Sequence, residues 1–290
     1  MTFVLTLTCT DRPGIVARLS SILANMDCNI LQSSQFFQPH PGTRRSDGDG
    51  QFFLRIEFSA PEAVTLDDLK AASEEFAQEF GADIQLYVDG AAIKCIVMVS
   101  KFDHCLQDIF YRTRSGVLPL DIVAVVSNHD VTRADVERLG IPFHLLPVTP
   151  ETKSEQETRL DEVITRTGAE LVVLARYMQV LSDDFSSRHF GKIINIHHSF
   201  LPAFKGAKPY HRAFDRGVKM IGATAHYVTP DLDEGPIIEQ DAERVTHALD
   251  ANDLVAKGRA IEARVLSKAI QLHAEHRVFI NEHRTVVFER

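Results

Sequence analysis

Asn195 and His197 stand two residues apart in KIINIHHSFLPAFKGAKPYHRAF, residues 192–214. Ile193 and Ile194 before them read as the end of a buried strand, and an extended backbone turns alternate side chains to one face. An amide and an imidazole converging on one point suit a carbonyl reaction: the amide N–H stabilises an oxyanion, and histidine moves a proton near neutral pH. The same pair also fits a loop cap beside a satisfied structural histidine, and spacing alone favours that second reading. Further along, IGATAHYVTPDLDEGPIIEQD, residues 221–241, reads as two strands joined by an acidic loop. His226 shares a face with Thr224, and Asp233 lies in the turn from Asp231 to Pro236. A carboxylate there can orient a histidine or a water; an isolated turn acid is as a rule only solvated.

Two rhythms along the chain indicate the elements that would position these groups. Residues 2–9 (TFVLTLTC) alternate apolar and polar as a strand with one buried face. Asp11 can cap the helix that follows, with Pro13 in its first turn and Ile15, Leu19, Ile22, Leu23 and Met26 on one face. NILQSSQFFQ and QFFLRIEFSA are strand-like, Thr65 can cap a second helix, and ADIQLYV supplies a last strand. The order βαββαβ predicts a ferredoxin-like unit over residues 1–88, with a linker at 89–92. From 93 to 290, strands such as IKCIVMVS, DIVAVVS and ELVVLA are continuously apolar and separated by helical patterns. Such strands are covered on both faces, so an α/β, doubly wound, mainly parallel sheet is expected, with its site where loops leave the carboxyl ends of the strands.

Taken together, N-I-H, a Gly/Pro-rich loop, G-A-T-A-H-Y-V and L-D-E-G-P-I-I resemble the formyltransferase-fold enzymes that use 10-formyltetrahydrofolate, over residues about 92–275, the upstream ARYMQVLS included. Within them, INIHHSFLPAFKGAKPYH and the fused N-terminal unit are most similar to the formyltetrahydrofolate deformylase family. T-D-R-P-G-I-V at the first strand–helix turn resembles ACT domains, which bind small amino acids and often pair edge to edge. The resemblance implies Asn195, His197 and Asp233 as catalytic residues, with Asp233 either taking a proton from water or supporting His197. It implies a folate pocket at Arg176, Met178, Val180, Leu181, His226, Thr229 and Leu232; Met178, Val180 and Leu181 would otherwise be ordinary core residues. An effector such as glycine or methionine would sit at Asp11, Gly14, Asn29 and Ile30, where free helix N–H groups can receive a carboxylate; a purely structural dimerisation module is the alternative. A homo-oligomer is expected on either reading.

Two departures bear on the reaction. Glycinamide ribonucleotide formyltransferases carry a Gly-Ser-rich phosphate cradle after the first strand of this domain, where VMVSKFDHCLQDIF has no glycine. They also carry proline where this chain has His198. Water then becomes the expected acceptor, giving formate and tetrahydrofolate, although Lys101 and His104 could hold another anion. A formyltransferase acting on an amine, and an amino-acid sensor with a silent second domain, are the competing readings. Lys205, Lys208 and Arg212 could meet the folate glutamate tail.

Composition narrows the rest. At 290 residues with a formal charge of -9, the chain resembles an average globular protein, and that charge disfavours nucleic acid. No run approaches the roughly 18 apolar residues that would span a bilayer, so no membrane partner is expected. Cys9, Cys28, Cys95 and Cys105 form no C-x-x-C pair and read as buried thiols of a reducing, cytoplasmic compartment. His197, His198, His211 and His226 lack metal-ligand spacing, so neither a metal nor another cofactor is expected.

Overall fold

The Thr/Leu alternation at the N-terminus folds as β1 (Thr2–Thr10), followed by α1 (Ile15–Asn25), β2 (Asn29–Pro39), β3 (Gly50–Ser59), α2 (Leu66–Phe80) and β4 (Asp83–Val88). The computed structural model describes residues 1–40, 42–43, 49–201 and 209–289. The first four-stranded sheet has the order β2-β3-β1-β4, and each of its pairings is antiparallel. Phe3, Leu5 and Leu7 of β1 and Leu54, Ile56 and Phe58 of β3 point to one side and are buried with Ile15, Leu19 and Leu23 of α1 and Leu69 and Phe76 of α2. Period-2 strands and 3.6-period helices thus meet in one core. Thr65 and Asp68 cap α2 reciprocally, the Thr65 side chain accepting from the Asp68 N–H and the Asp68 carboxylate from the Thr65 N–H. The expected cap of α1 is not made by Asp11. Gly14, at φ 97°, is the N-cap and no side chain bonds there, while the Asp11 N–H still bonds the sheet at Gly50 O.

Strand register separates the expected effector residues within one chain. Thr10, next to Asp11, pairs with Gln51 at one end of β3, whereas Asn29 pairs with Ser59, which pairs with Thr2. Asp11 and Gly14 therefore lie at one end of the sheet and Asn29 and Ile30 at the other, about 26 Å apart at the usual strand rise. One small amino acid cannot touch both sets within a single chain.

In the second unit the apolar runs become β5 (Ile93–Val99), β6 (Leu120–Ser127), β7 (Phe143–Leu145), β8 (Leu171–Leu174) and β9 (Ile193–His197), with β10 (Met220–Tyr227) and β11 (Ile237–Arg244) completing a sheet of order β11-β10-β9-β8-β5-β6-β7. The strands from β7 to β9 are parallel; β10 is antiparallel to both β9 and β11. Helices α3 (His104–Arg114), α4 (Arg133–Arg138), α5 (Lys153–Thr167), α6 (Asp183–Arg188), α7 (Pro209–Arg216) and α8 (Ala251–Ala274) accompany it. Cys95 to Val99 are completely buried, as continuous apolar strands require. The short α6 and α7 had no clear sequence signal, and α8 is one unbroken helix. Gly258 lies inside α8 because a Cβ there would run into the Tyr210 ring.

The C-terminus departs from the expected domain limits. Glu275–Phe279 and the residues from Val286 onward belong to the first unit, with Met1–Ala91; Ile280–Thr285 belong to the second, with Ala92–Ala274. These segments include parts of a closing hairpin, β12 (Val278–Asn281) and β13 (Arg284–Val287). The reason is the outer face of β3, whose Phe53 and Arg55 need cover. Phe279 meets Phe53 edge-on at 5.8 Å, and Arg55 Nε donates to Glu275 O at 3.2 Å. Truncating Phe279 to alanine should therefore destabilise the first unit by about 3 kcal/mol, read as a lowered urea midpoint for that unit's transition; an unchanged midpoint would show that the segment does not contribute.

Candidate active site

Asn195 and His197 leave the end of β9 on one face, and the antiparallel register with β10 sets His226 opposite Asn195 and Thr224 opposite His197. His226 Nδ1 is 2.8 Å from the Tyr227 carbonyl oxygen, which can only accept, so that nitrogen carries the proton. In the neutral ring Nε2 is then an acceptor, and Asn195 Nδ2 stands 3.2 Å from it. The amide is thereby oriented, and its second Nδ2 hydrogen remains to be used. His197 is held at both nitrogens: Nδ1 is 3.2 Å from Asp233 Oδ2, and Nε2 is 2.8 Å from Ser199 Oγ.

Asp233 reaches this point on a tight loop. Its φ of 58° is left-handed, a conformation that Asp tolerates better than most residues. Two residues on, a Cβ at Gly235 would collide with the Tyr227 carbonyl, the group that bonds His226. Tyr227 N also donates to Pro236 O at 2.9 Å, closing the loop onto β10. Burial alone would raise the Asp233 pKa, but the hydrogen bond and charge of His197, with His226 close by, hold it well below the usual carboxylate range. The group is an ionised acceptor between two imidazoles, with Oδ1 3.7 Å from His226 Nε2.

These side chains line a cavity of about 290 Å³, together with Arg176, Met178, Val180, Leu181, Thr229 and Leu232. Every residue expected in the folate pocket is thus on one cavity wall. Met178, Val180 and Leu232 are more than half exposed, which is not core behaviour, whereas Leu181 is buried in the apolar cluster around Phe185. The loop carrying Met178 is pinned by Ser100, whose Oγ accepts from Met178 N at 3.0 Å, and by Glu157, which accepts from Ser182 N at 2.7 Å. A larger cavity, about 700 Å³, lies among α3, α4 and the start of β6 and holds none of the expected residues. Lys205 and Lys208 lie outside the described residues; Arg212 is exposed on α7.

Sequence reasoning missed one buried network. Glu262 of α8 is 1% exposed and 2.8 Å from His104 Nε2, 2.7 Å from the Tyr210 hydroxyl and 3.3 Å from Arg176 Nε. The available signal was a glutamate inside the apolar stripe Leu254, Gly258, Ile261 and Val265. His104, Cys105 and Glu262 are the one group among the described residues with metal-ligand atoms close together. A cation there would have to compete with the Arg176 guanidinium for a carboxylate that Tyr210 and His104 already bond, so the cluster fits an ion-pair network better than a metal site. All four cysteines are free, and only Cys28 is not fully buried.

Next to His197, His198 is also buried. Desolvation, then the nearby Arg176 and His197, push its pKa down to about 4. In the unfolded chain the ordinary value is about 6.5. The unfolded state therefore takes up this proton as pH falls through 6.5, while the folded state resists until about pH 4, so stability is full above pH 6.5 and is lost between those values. The loss at pH 5 should be about 1–2 kcal/mol for this residue. Urea unfolding at pH 7.5 and pH 5 should show a smaller pH-dependent loss in His198→Asn than in wild type; equal losses would refute the assignment.

Comparison with known proteins follows this geometry. Residues 93–270 match the Formyl transferase family and residues 1–87 the ACT domain family. The chain is 49% identical over 285 residues to a formyltetrahydrofolate deformylase of Corynebacterium sp. (strain P-1), covering 98% of this chain and 97% of that one. It superposes on a crystal structure of a formyltetrahydrofolate deformylase from Pseudomonas putida KT2440 with a TM-score of 0.91 at 45% identity, over 99% of this chain and 100% of the other. A glycinamide ribonucleotide transformylase from Symbiobacterium toebii gives a TM-score of 0.65 at 32% identity, over 71% of this chain and 98% of its own. The transformylase covers 71% of the chain, whereas the deformylases cover nearly all of it. With that full-length match and the Asn195, His197, Asp233 and His226 cluster in place, the chain belongs to the formyltetrahydrofolate deformylase family.

Proposed function

We propose that the chain hydrolyses 10-formyltetrahydrofolate to formate and tetrahydrofolate, with Asn195, His197 and Asp233 as its catalytic set. The observation that carries this reading is the convergence of those three side chains in a cavity, beside a first loop, Ser100–Asp103, that has no glycine to cradle a phosphate. Met178, Val180 and Leu232 offer an exposed apolar surface against which the flat pterin can lie, and the backbone of residues 176–181 and 229–233 offers polar partners to its edge. The spare Nδ2 hydrogen of Asn195 points to the charge that develops on the formyl oxygen when water attacks. His197 shares that charge only once it carries a second proton, and the imidazolium so formed is stabilised by Asp233. Asp233, so strongly held in its ionised form, is a weak base and serves to orient His197. No step in this scheme calls for a metal or another cofactor. Purified protein given 10-formyltetrahydrofolate and water alone should release formate, and Asp233→Asn, which keeps the left-handed turn, should cut kcat by at least 100-fold. Turnover seen only with an added amine would mean a transferase, and no turnover at all would favour a sensor.

For the first unit, the reading is an amino-acid effector bound between two copies. β2 is an edge strand with Leu31 and Phe36 exposed, a surface that invites pairing. Antiparallel pairing of two β2 strands sets the start of one against the end of the other, so Asn29 and Ile30 of one copy come to the Asp11–Gly14 end of the second. The four residues that are separated within a chain would then share one pocket, in which the uncapped N–H groups of α1 take the carboxylate of a ligand such as glycine or methionine. Leu31→Glu should shift the protein to monomer in sedimentation and abolish any change of hydrolysis rate by either amino acid; a monomeric variant with the full response would rule this pocket out.

A further inference from the structure

Three histidines line the cavity, and two of them have both ring nitrogens occupied. His197 is spent on Asp233 and Ser199, His226 on Asn195 and the Tyr227 carbonyl. His198 is different. It is 9% exposed, its Nδ1 is buried, and among the described residues that nitrogen has no hydrogen-bond partner. Leaving such a group unsatisfied costs about 1–3 kcal/mol, so a buried ring nitrogen of this kind is as a rule met by water or ligand. One other cavity-lining residue shares the condition: Arg176 Nε is buried and 3.3 Å from Glu262, but out of line for a hydrogen bond. The cavity thus presents two buried polar atoms with bonding capacity in hand.

We propose that His198 receives the attacking water, accepting its hydrogen bond and then its proton at Nδ1. The inference deepens the hydrolytic reading above and rests on it. Around the ring the charged and titratable groups are Arg176, His197, Glu262 and Asp233. Burial and the Arg176 charge keep the imidazole neutral at pH 7, so with its proton on Nε2 it offers a lone pair at Nδ1. In the step itself, a water lone pair forms the C–O bond to the formyl carbon. The carbonyl pair moves onto oxygen, where the spare Asn195 hydrogen meets it, and the water proton passes to His198. When the C–N10 bond breaks, its electron pair takes that proton from His198, and the formic acid released loses its remaining proton to solvent. The sum is formate, tetrahydrofolate and one proton from the formyl-folate and water. A base of low pKa takes the proton only as the C–O bond forms, and for the same reason gives it up readily to N10. An amine acceptor brings its own anchoring groups, and water brings none.

The test uses full-length protein with His198→Ala and His198→Asn, the latter placing an amide near the position of Nδ1. The alanine variant should lose at least about 100-fold in kcat for formate release, with KM and the Kd for tetrahydrofolate within threefold of wild type. Asparagine should recover tenfold over alanine, and added imidazole should raise the alanine rate saturably, which a merely structural role would not produce. An alanine variant within threefold of wild-type kcat, or a loss carried by KM alone, overturns the proposal. If alanine fails to fold by circular dichroism, a folded asparagine variant decides the matter: an amide can hold the water but takes no proton, so a loss of about tenfold or more in kcat supports the proposal and wild-type kcat overturns it. Wild type that releases no formate would sink the hydrolytic reading itself, so the two failures are distinguishable.

Discussion

An ionised carboxylate in the cavity wall is the constraint on which the rest of the site depends. Asp233 cannot remain charged there without a donor; His197 of β9 supplies one at Nδ1, and His226 of β10 lies 3.7 Å away on the adjacent strand. To bring the carboxylate to them, the loop after β10 must double back so closely that position 235 has no room for a side chain. The same closure occupies the Tyr227 carbonyl with His226 Nδ1, which decides the His226 tautomer, which in turn decides which end of the Asn195 amide faces it. One backbone contact therefore propagates through two side chains, His226 and Asn195, to the spare amide hydrogen. Antiparallel pairing of β9 and β10, the one departure from parallel order next to the site, makes this possible by setting Asn195 and His226 side by side.

Much of the fold was legible because its cause is local. Alternation in residues 2–9, the Thr65 capping box and the apolar runs of β5, β6 and β8 each follow from a period or a cap that the residues carry themselves. What was not legible depended on distant partners. Asp11 looks like a cap, yet the chain at Asp11 is still tied to Gly50, so the helix begins one turn later. The C-terminal residues read as part of the second domain because they follow it, but Phe279 and Glu275 are claimed by Phe53 and Arg55, more than 200 positions away. No local pattern could have announced that.

The site divides in the same way. Asn195 and His197 were visible from strand alternation, and Asp233 from its turn, but spacing could not show that the three meet. The folate wall followed from resemblance, and the structure adds that Met178, Val180 and Leu232 are exposed while Leu181 belongs to the core. Asn29 and the α1 N-terminus lie at opposite ends of the sheet in one chain, a separation that no local pattern shows. A helix carries the chain away by its own length, about 16 Å for eleven residues, before the next strand starts.

Glu262 shows what separates an acceptor site from a solvent-supplied one. The start of α3 is where free helix N–H groups would attract a phosphate. Here its first residue, His104, is engaged by a protein carboxylate that Tyr210 also bonds and Arg176 approaches. An anionic amine acceptor nearing this point finds His104 and Arg176 already engaged by Glu262, in a chain of net charge -9. A water molecule meets no such opposition, needs no phosphate anchor, and requires only a hydrogen-bond acceptor near the formyl carbon. The same carbonyl chemistry at Asn195 and His197 can thus be directed to different nucleophiles by groups that never touch the folate. The polar wall formed by α3, α7 and α8 then acts together with His198 in selecting among nucleophiles.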